Sequence, residues 1–211
     1  MKKEILSFLI KSVLAGIMIG IGGTVYLSLD NKVIGAILFA IGLFMIVTRG
    51  FNLYTGKVGY IFNNKPKYLI EVIVTIFGNF IGTFLVGFIL KYTRIYSSIS
   101  SKAYGLCEIK INDSVGSILI LSIFCGMLMY LAVDGYKEGK DVFSKYASVF
   151  LAVIVFILCG FEHSIANMYY FSVASYFNLK VYAYLGFMII GNGIGGVFIP
   201  LCYKLKDYLE K

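Results

Sequence analysis

Six long apolar runs, separated in all but one place by short clusters of Lys, Asp, Asn and Gly, leave this chain one solvent to fold in. A bilayer core takes about 20 apolar residues per helix. Runs at roughly 8–29, 33–62, 68–91, 114–135, 143–175 and 179–205 meet that length and use up most of the chain. A soluble domain is about half apolar and about a quarter charged. Here 59% of the 211 residues are hydrophobic and 14% charged. The reading is one all-α membrane domain over residues 1–211, with no linker and no soluble part. In hydrocarbon a spanning segment satisfies its backbone only as a helix or a closed barrel.

The first run follows Met1, Lys2, Lys3 and Glu4, and a signal peptide begins in the same way. It has no small-x-small cleavage site with a polar sequence after it, so it is read as a retained span. Asp30-Asn31, the segment Asn63 to Lys67, the segment Asp134 to Asp141, and Phe177 to Lys180 form the turns. Tyr92 to Asp113 is read as the longest polar loop. The net charge is +8. In a membrane protein basic loops set topology rather than bind nucleic acid. Lys2, Lys3, Lys65, Lys67, Lys137, Lys140, Lys204, Lys206 and Lys211 fall on one face; Lys32, Arg94, Lys102, Lys110 and Lys180 fall on the other. Both termini are therefore expected in the cytoplasm, with the protein multi-pass in the plasma membrane.

Two of the runs contain polar residues in mid-course. Gly50-Phe51-Asn52-Leu53-Tyr54-Thr55-Gly56 lies in the second, and Gly160-Phe161-Glu162-His163-Ser164-Ile165-Ala166-Asn167 in the fifth. The third carries Gly78-Asn79 and the sixth Gly191-Asn192. The Gly-Phe pairs are 110 positions apart and the Gly-Asn pairs 113. Two matches in the same order at nearly one offset point to a three-plus-three repeat. Three spans is an odd number, so the halves insert in opposite orientations, with interrupted helices meeting near the midplane. Irregular backbone survives at that depth only packed in protein or lining a wet cavity. Glycine kinks in tightly packed helices are the plainer alternative.

His163 is the single histidine, set deep in the fifth run beside Glu162. Ionisable groups at that depth face an interior or an aqueous cavity. Its imidazole suits hydrogen-bond or proton donation to a passing anion; a neutral ring bonded to backbone is the alternative. Glu162 is read as pairing locally or capping a helix end. Ser164 and Asn167 are read as supporting the break by satisfying freed backbone groups. The Thr55 hydroxyl either donates to an anion or bonds its own turn. Lys110 is a loop lysine, a type ordinarily solvated and idle; its bracket of Ile109 and Ile111 leaves partial burial at a span edge as the alternative. Cys107, Cys125, Cys159 and Cys202 have no metal-ligand spacing, and three of them sit in apolar runs. No phosphate loop, nucleophile elbow or dinucleotide fingerprint is present. The expectation is a protein that is not an enzyme and uses no cofactor or metal.

The string Gly160 to Met168 resembles the most recognisable motif of the formate–nitrite transporter family, and the likeness extends from the first run to the sixth. It implies six transmembrane helices as an inverted repeat, the second and fifth broken, in an aquaporin-like protomer. It also implies a homopentamer with a pore in each protomer, passing formate, nitrite or hydrosulfide. By the resemblance His163 is the central histidine, and Thr55 belongs to the loop breaking the second helix. Leu53 and Tyr54 are its gate-like neighbours. Lys110 is the lysine that attracts anions, and Asn192 is a pore-side asparagine. Phe39, Leu43 and Phe156 fall at apolar constrictions. Gly126 departs from the family by replacing an asparagine, which is read as removing a pore-side amide and opening the pore; Tyr54 departs by replacing phenylalanine, and the helix before the first span is short.

A bare anion entering hydrocarbon meets a desolvation penalty idealised at about 20 kcal/mol. A positive vestibule concentrates anions without removing that barrier. The neutral weak acid crosses far more cheaply. Lys110 is thus expected to draw the anion inward, its proton affinity rising on the way. His163 with Thr55 then polarises or protonates it between constrictions. A water or small neutral-solute channel is the main rival reading. A non-transporting scaffold and an intramembrane enzyme using His163, Glu162 and Cys159 are lesser ones.

Overall fold

Where the apolar runs are longest, the backbone is helical, because no other local structure closes all its hydrogen bonds without water. A computed structural model describes residues 2–211; Met1 and the side chain of Lys2, part of the amino-terminal charge cluster, lie outside the described residues. Among the described residues every regular element is helical: α1 (Lys2–Ser28), α2 (Lys32–Phe39), α3 (Ile41–Arg49), α4 (Tyr54–Lys57) running into a 3-10 turn (Val58–Asn63), α5 (Tyr68–Leu90), α6 (Tyr96–Asn112), α7 (Val115–Glu138), α8 (Val142–Leu158), α9 (Ser164–Val173) and α10 (Leu179–Leu209). Five stretches are long and apolar enough to cross a membrane: Lys3–Ser28, Lys32–Arg49, Tyr68–Leu90, Val115–Glu138 and Leu179–Leu209. The apolar α8 is shorter.

Local chemistry sets the ends. Asn31 accepts from the Val33 and Ile34 amides, Ser114 from Ser117, Asp141 from Ser144, and Asn178 from Val181. Each is a side-chain oxygen satisfying donors that a first helical turn leaves open. In the turn before α2, the Lys102 ammonium hydrogen-bonded to Asp30 holds that carboxyl below the usual carboxylate range.

The stretch expected as a polar loop, Tyr92 to Asp113, is a correction: most of it is α6. Ile99, Ala103, Cys107 and Ile111 recur every fourth position and form its buried stripe, and Lys110 lies beside that stripe with its side chain turned inward.

The molecule is assembled from two close helix pairs, α1 against α5 and α7 against α10. Both are backbone-to-backbone approaches through glycine. A Cβ on Gly82 would collide with the Val13 carbonyl, and one on Gly195 with the Ile123 carbonyl. Small residues at such crossings are how helices pack where no hydrophobic effect drives them together. Gly126 belongs to the same seam. Its reading as a lost pore-side amide is corrected, because a Cβ there would meet the Asn192 backbone. Outward, Ile70, Phe77 and Leu151 are each more than 60% exposed. An apolar exterior of this kind fits lipid or a neighbouring protomer.

Candidate functional site

The helical course is interrupted twice, in the same manner. α3 ends at Gly50, whose φ is 65°; α8 ends just before Gly160, whose φ is 71°. Left-handed backbone is open to glycine at no steric cost, and it ends a helix. Three non-helical residues follow in each, the last of them extended, and a new helix starts at Tyr54 or at Ser164. Such breaks expose amides and carbonyls far from water, and each exposed group needs a partner.

Two asparagines supply them. Asn79 on α5 accepts from the Tyr54 amide at 2.9 Å and donates to the carbonyls of Ser12 and Asn52 at 2.7 and 2.8 Å. Asn192 on α10 accepts from the Ser164 amide at 2.8 Å and donates to the carbonyls of Ser122 and Glu162, both at 2.8 Å. Ser12 and Ser122, Asn52 and Glu162, and Tyr54 and Ser164 are each 110 positions apart. Both side chains are fully buried. The expectation that Asn192 faces the pathway therefore differs from what the structure shows: its amide is used up on backbone. The role of Asn79 was missed, although its Gly-Asn pair had marked the repeat.

The two breaks meet at a hydrogen bond. Thr55 Oγ1 lies 2.9 Å from His163 Nε2, with both residues buried. His163 is also the cap of α9: its Nδ1 accepts from the Ala166 amide at 3.0 Å. That bond occupies the Nδ1 lone pair, so the neutral ring carries its hydrogen on Nε2 and donates to Thr55. The Phe156 ring stacks on the imidazole, centroids 5.5 Å apart, and Phe39 stands edge-on to Phe156 at 5.9 Å.

A cavity opens on each side of this pair. One, of about 270 Å³, is lined by His163, Phe156, Lys110, Glu162, Lys32 and Tyr170 among others. The other, of about 220 Å³, is lined by Leu53, Gly56, Lys57, Tyr68, Val133 and Lys137 among others. They share no residue. Thr55, Phe39 and Leu43 line neither and are buried between the helices. Tyr54 also lines neither; its hydroxyl donates to the Ile189 carbonyl at 2.7 Å, so its ring is tied back toward α10.

Lys110, from α6, reaches the rim of the first cavity and donates to both oxygens of Glu162 at 2.9 and 2.7 Å. Asn167 donates to the same carboxylate at 2.6 Å and to the Met188 sulfur at 3.1 Å. Asn167 thus serves the Glu162 charge and not freed backbone as expected. Among the described residues the Ser164 hydroxyl has no hydrogen-bond partner, so the backbone support expected of it falls to Asn192 and to the His163 cap.

An all-helical chain with five bilayer-length apolar stretches and a buried polar centre between two cavities defines a multi-pass membrane transport protein. The sequence profile described as Formate/nitrite transporter matches residues 1–205, and the chain belongs to that family. It is 26% identical to the formate-nitrite transporter of Plasmodium falciparum (isolate 3D7), over 96% of this chain and 79% of that protein. It is 27% identical to the formate channel BtFdhC of Bacillus thuringiensis, over 82% of this chain and 72% of that one. Among solved structures it superposes on a pentameric formate channel with formate bound, at a TM-score of 0.80 and 24% identity over 99% of each chain. An FNT family ion channel superposes at a TM-score of 0.84 and 22% identity, over 95% of this chain and 90% of that one. The shared architecture is that of a channel family, not an enzyme family.

Proposed function

We propose that the protein passes small monovalent weak-acid anions (formate, nitrite or hydrosulfide) across the plasma membrane as their neutral acids, through the plug between the two cavities. The chain is read as a single domain of six spans, a three-plus-three inverted repeat whose second and fifth spans are broken, in an aquaporin-like protomer. Both termini lie in the cytoplasm and five copies form a homopentamer. The carrying observation is the buried Thr55–His163 hydrogen bond at the junction of the two interruptions, with a separate cavity on either side.

The chemistry follows from the hydrogen bonds. An imidazolium donates from both nitrogens, so protonating His163 would forfeit the Ala166 cap bond. The neutral ring instead offers Nε2–H to an incoming oxygen or sulfur, and Thr55 offers its hydroxyl hydrogen. The proton that neutralises the anion then comes from water in the cavity, and His163 orients and polarises. Apolar walls at Phe39, Leu43, Leu53 and Phe156 admit the neutral acid and reject the charged form.

Liposomes carrying the protein, challenged with formate, nitrite and hydrosulfide across a pH series, test this. Uptake above the protein-free rate, rising as external pH falls, supports the reading. Fast water-driven shrinkage without anion uptake would replace it with the water or small neutral-solute channel.

A further inference from the structure

Three lysines stand around the first cavity and its outer recess, and they are not equivalent. Lys110 is held by both oxygens of Glu162. Lys102 donates to the Asp30 carboxylate at 2.8 Å and to the Leu29 carbonyl at 3.3 Å. Among the described residues Lys32 has no carboxylate partner, and its hydrogen bond is to the Leu158 carbonyl at 3.4 Å, at the end of α8. Lys32 also occupies a particular place. The cavity that reaches His163 and the recess of about 400 Å³ outside it share Tyr26, Lys32, Leu106 and Ile109. The exposed Lys32 ammonium thus stands on the ridge between open water and the route inward.

We propose that Lys32 is the first binding station for the carried anion on this face. An anion reaching Lys110 must compete with a carboxylate that is tethered, bidentate and further held by Asn167. Displacing it would leave Glu162 buried and unpaired, which proteins resist strongly. At Lys32 the competitor is one long bond to a neutral carbonyl, and a charge-assisted bond to a carboxylate or nitrite oxygen is the stronger. The Leu158 carbonyl aims the ammonium without neutralising it. An anion held there sits at the mouth of the cavity, one step before Lys110 and His163. This station rests on the transport reading above. The same ammonium chemistry would also take a lipid phosphate at the headgroup level, so the lipid is varied in the test.

The full chain in phosphatidylcholine liposomes is assayed for formate and nitrite uptake against concentration, at low and high ionic strength. Lys32→Gln is expected to raise the half-saturating concentration severalfold at low ionic strength with the maximal rate kept. The difference should vanish at high salt, where screening removes it. Lys32→Arg is expected to match the parent, and Lys102→Gln, which removes an equal but paired charge, to change little. The station is overturned if Lys32→Gln saturates like the parent at low salt. It is overturned too if Lys102→Gln shifts uptake equally, which indicates a diffuse field. A shift confined to vesicles containing anionic lipid likewise overturns it, assigning Lys32 to headgroups. A parent protein that passes neither anion brings down the transport reading and the station together; altered results with parental flux intact concern Lys32 alone.

Discussion

His163 is asked to do two things that use different nitrogens. Nδ1 closes the first turn of α9, and Nε2 meets Thr55. Asparagine can imitate the first and not the second, since its oxygen is a good helix cap on a shorter side chain. His163→Asn is therefore expected to keep the thermal midpoint near that of the parent while cutting formate uptake by an order of magnitude or more. Unchanged uptake would remove the imidazole from the mechanism. Lys110→Ala is expected to act mainly on stability. It strands Glu162, and breaking a buried pair costs about 3–5 kcal/mol. Detergent thermal unfolding should show the loss, and adding Glu162→Gln should recover much of it. The sequence identified His163, Thr55, Lys110 and Glu162 as residues worth placing, but not which would pair. The Lys110–Glu162 pair spans 52 positions, and no local pattern reports a contact of that separation. The depth of Glu162 was visible; the partner that makes the depth tolerable was not.

At the scale of elements, the interruptions depend on asparagines borrowed from a later helix. Asn192→Leu would leave the Ser164 amide and the Glu162 carbonyl unpartnered, and would cost the mid-helix Ser122 carbonyl its second bond. At about 1–3 kcal/mol for each buried unsatisfied group, the loss is several kcal/mol. A sharply lowered unfolding temperature for Asn192→Leu, and likewise for Asn79→Leu, is the expected result; a parental midpoint in either would show that the breaks hold themselves. The helix seams can be checked with less ambiguity. Gly195→Val drives a side chain into the Ile123 carbonyl and is expected to abolish folded protein in membranes. Gly186→Ala on the same helix meets nothing within 4 Å and is expected to be neutral. The sequence shows these glycines as a spacing, not as a contact, so Gly126 was read as opening the pore when it closes a seam. α6 was legible too, but in a period of four rather than in hydropathy. A search for bilayer-length apolar runs passes over a half-polar helix.

For the whole molecule the long apolar runs carried most of the information, because hydrocarbon permits so few structures. They located the longest helices, with α8 shorter than its run, and passed over α6. The plug between two cavities sets what the molecule should do as one object. Formate uptake is expected to rise as external pH falls and to be accelerated by an inward proton gradient. Dissipating that gradient with a protonophore at constant formate should slow it. Flux that follows the anion gradient alone, at one rate across the pH series, would mean the charged form itself crosses.

The asparagine closures bear on how the chain can be divided. Asn79 lies on the same side of the chain's middle as the fracture it mends, and Asn192 does likewise. Neither segment borrows its repair from the other. The same independence predicts that a nick between Asp113 and Ser114 leaves two pieces able to reunite when made together in one cell.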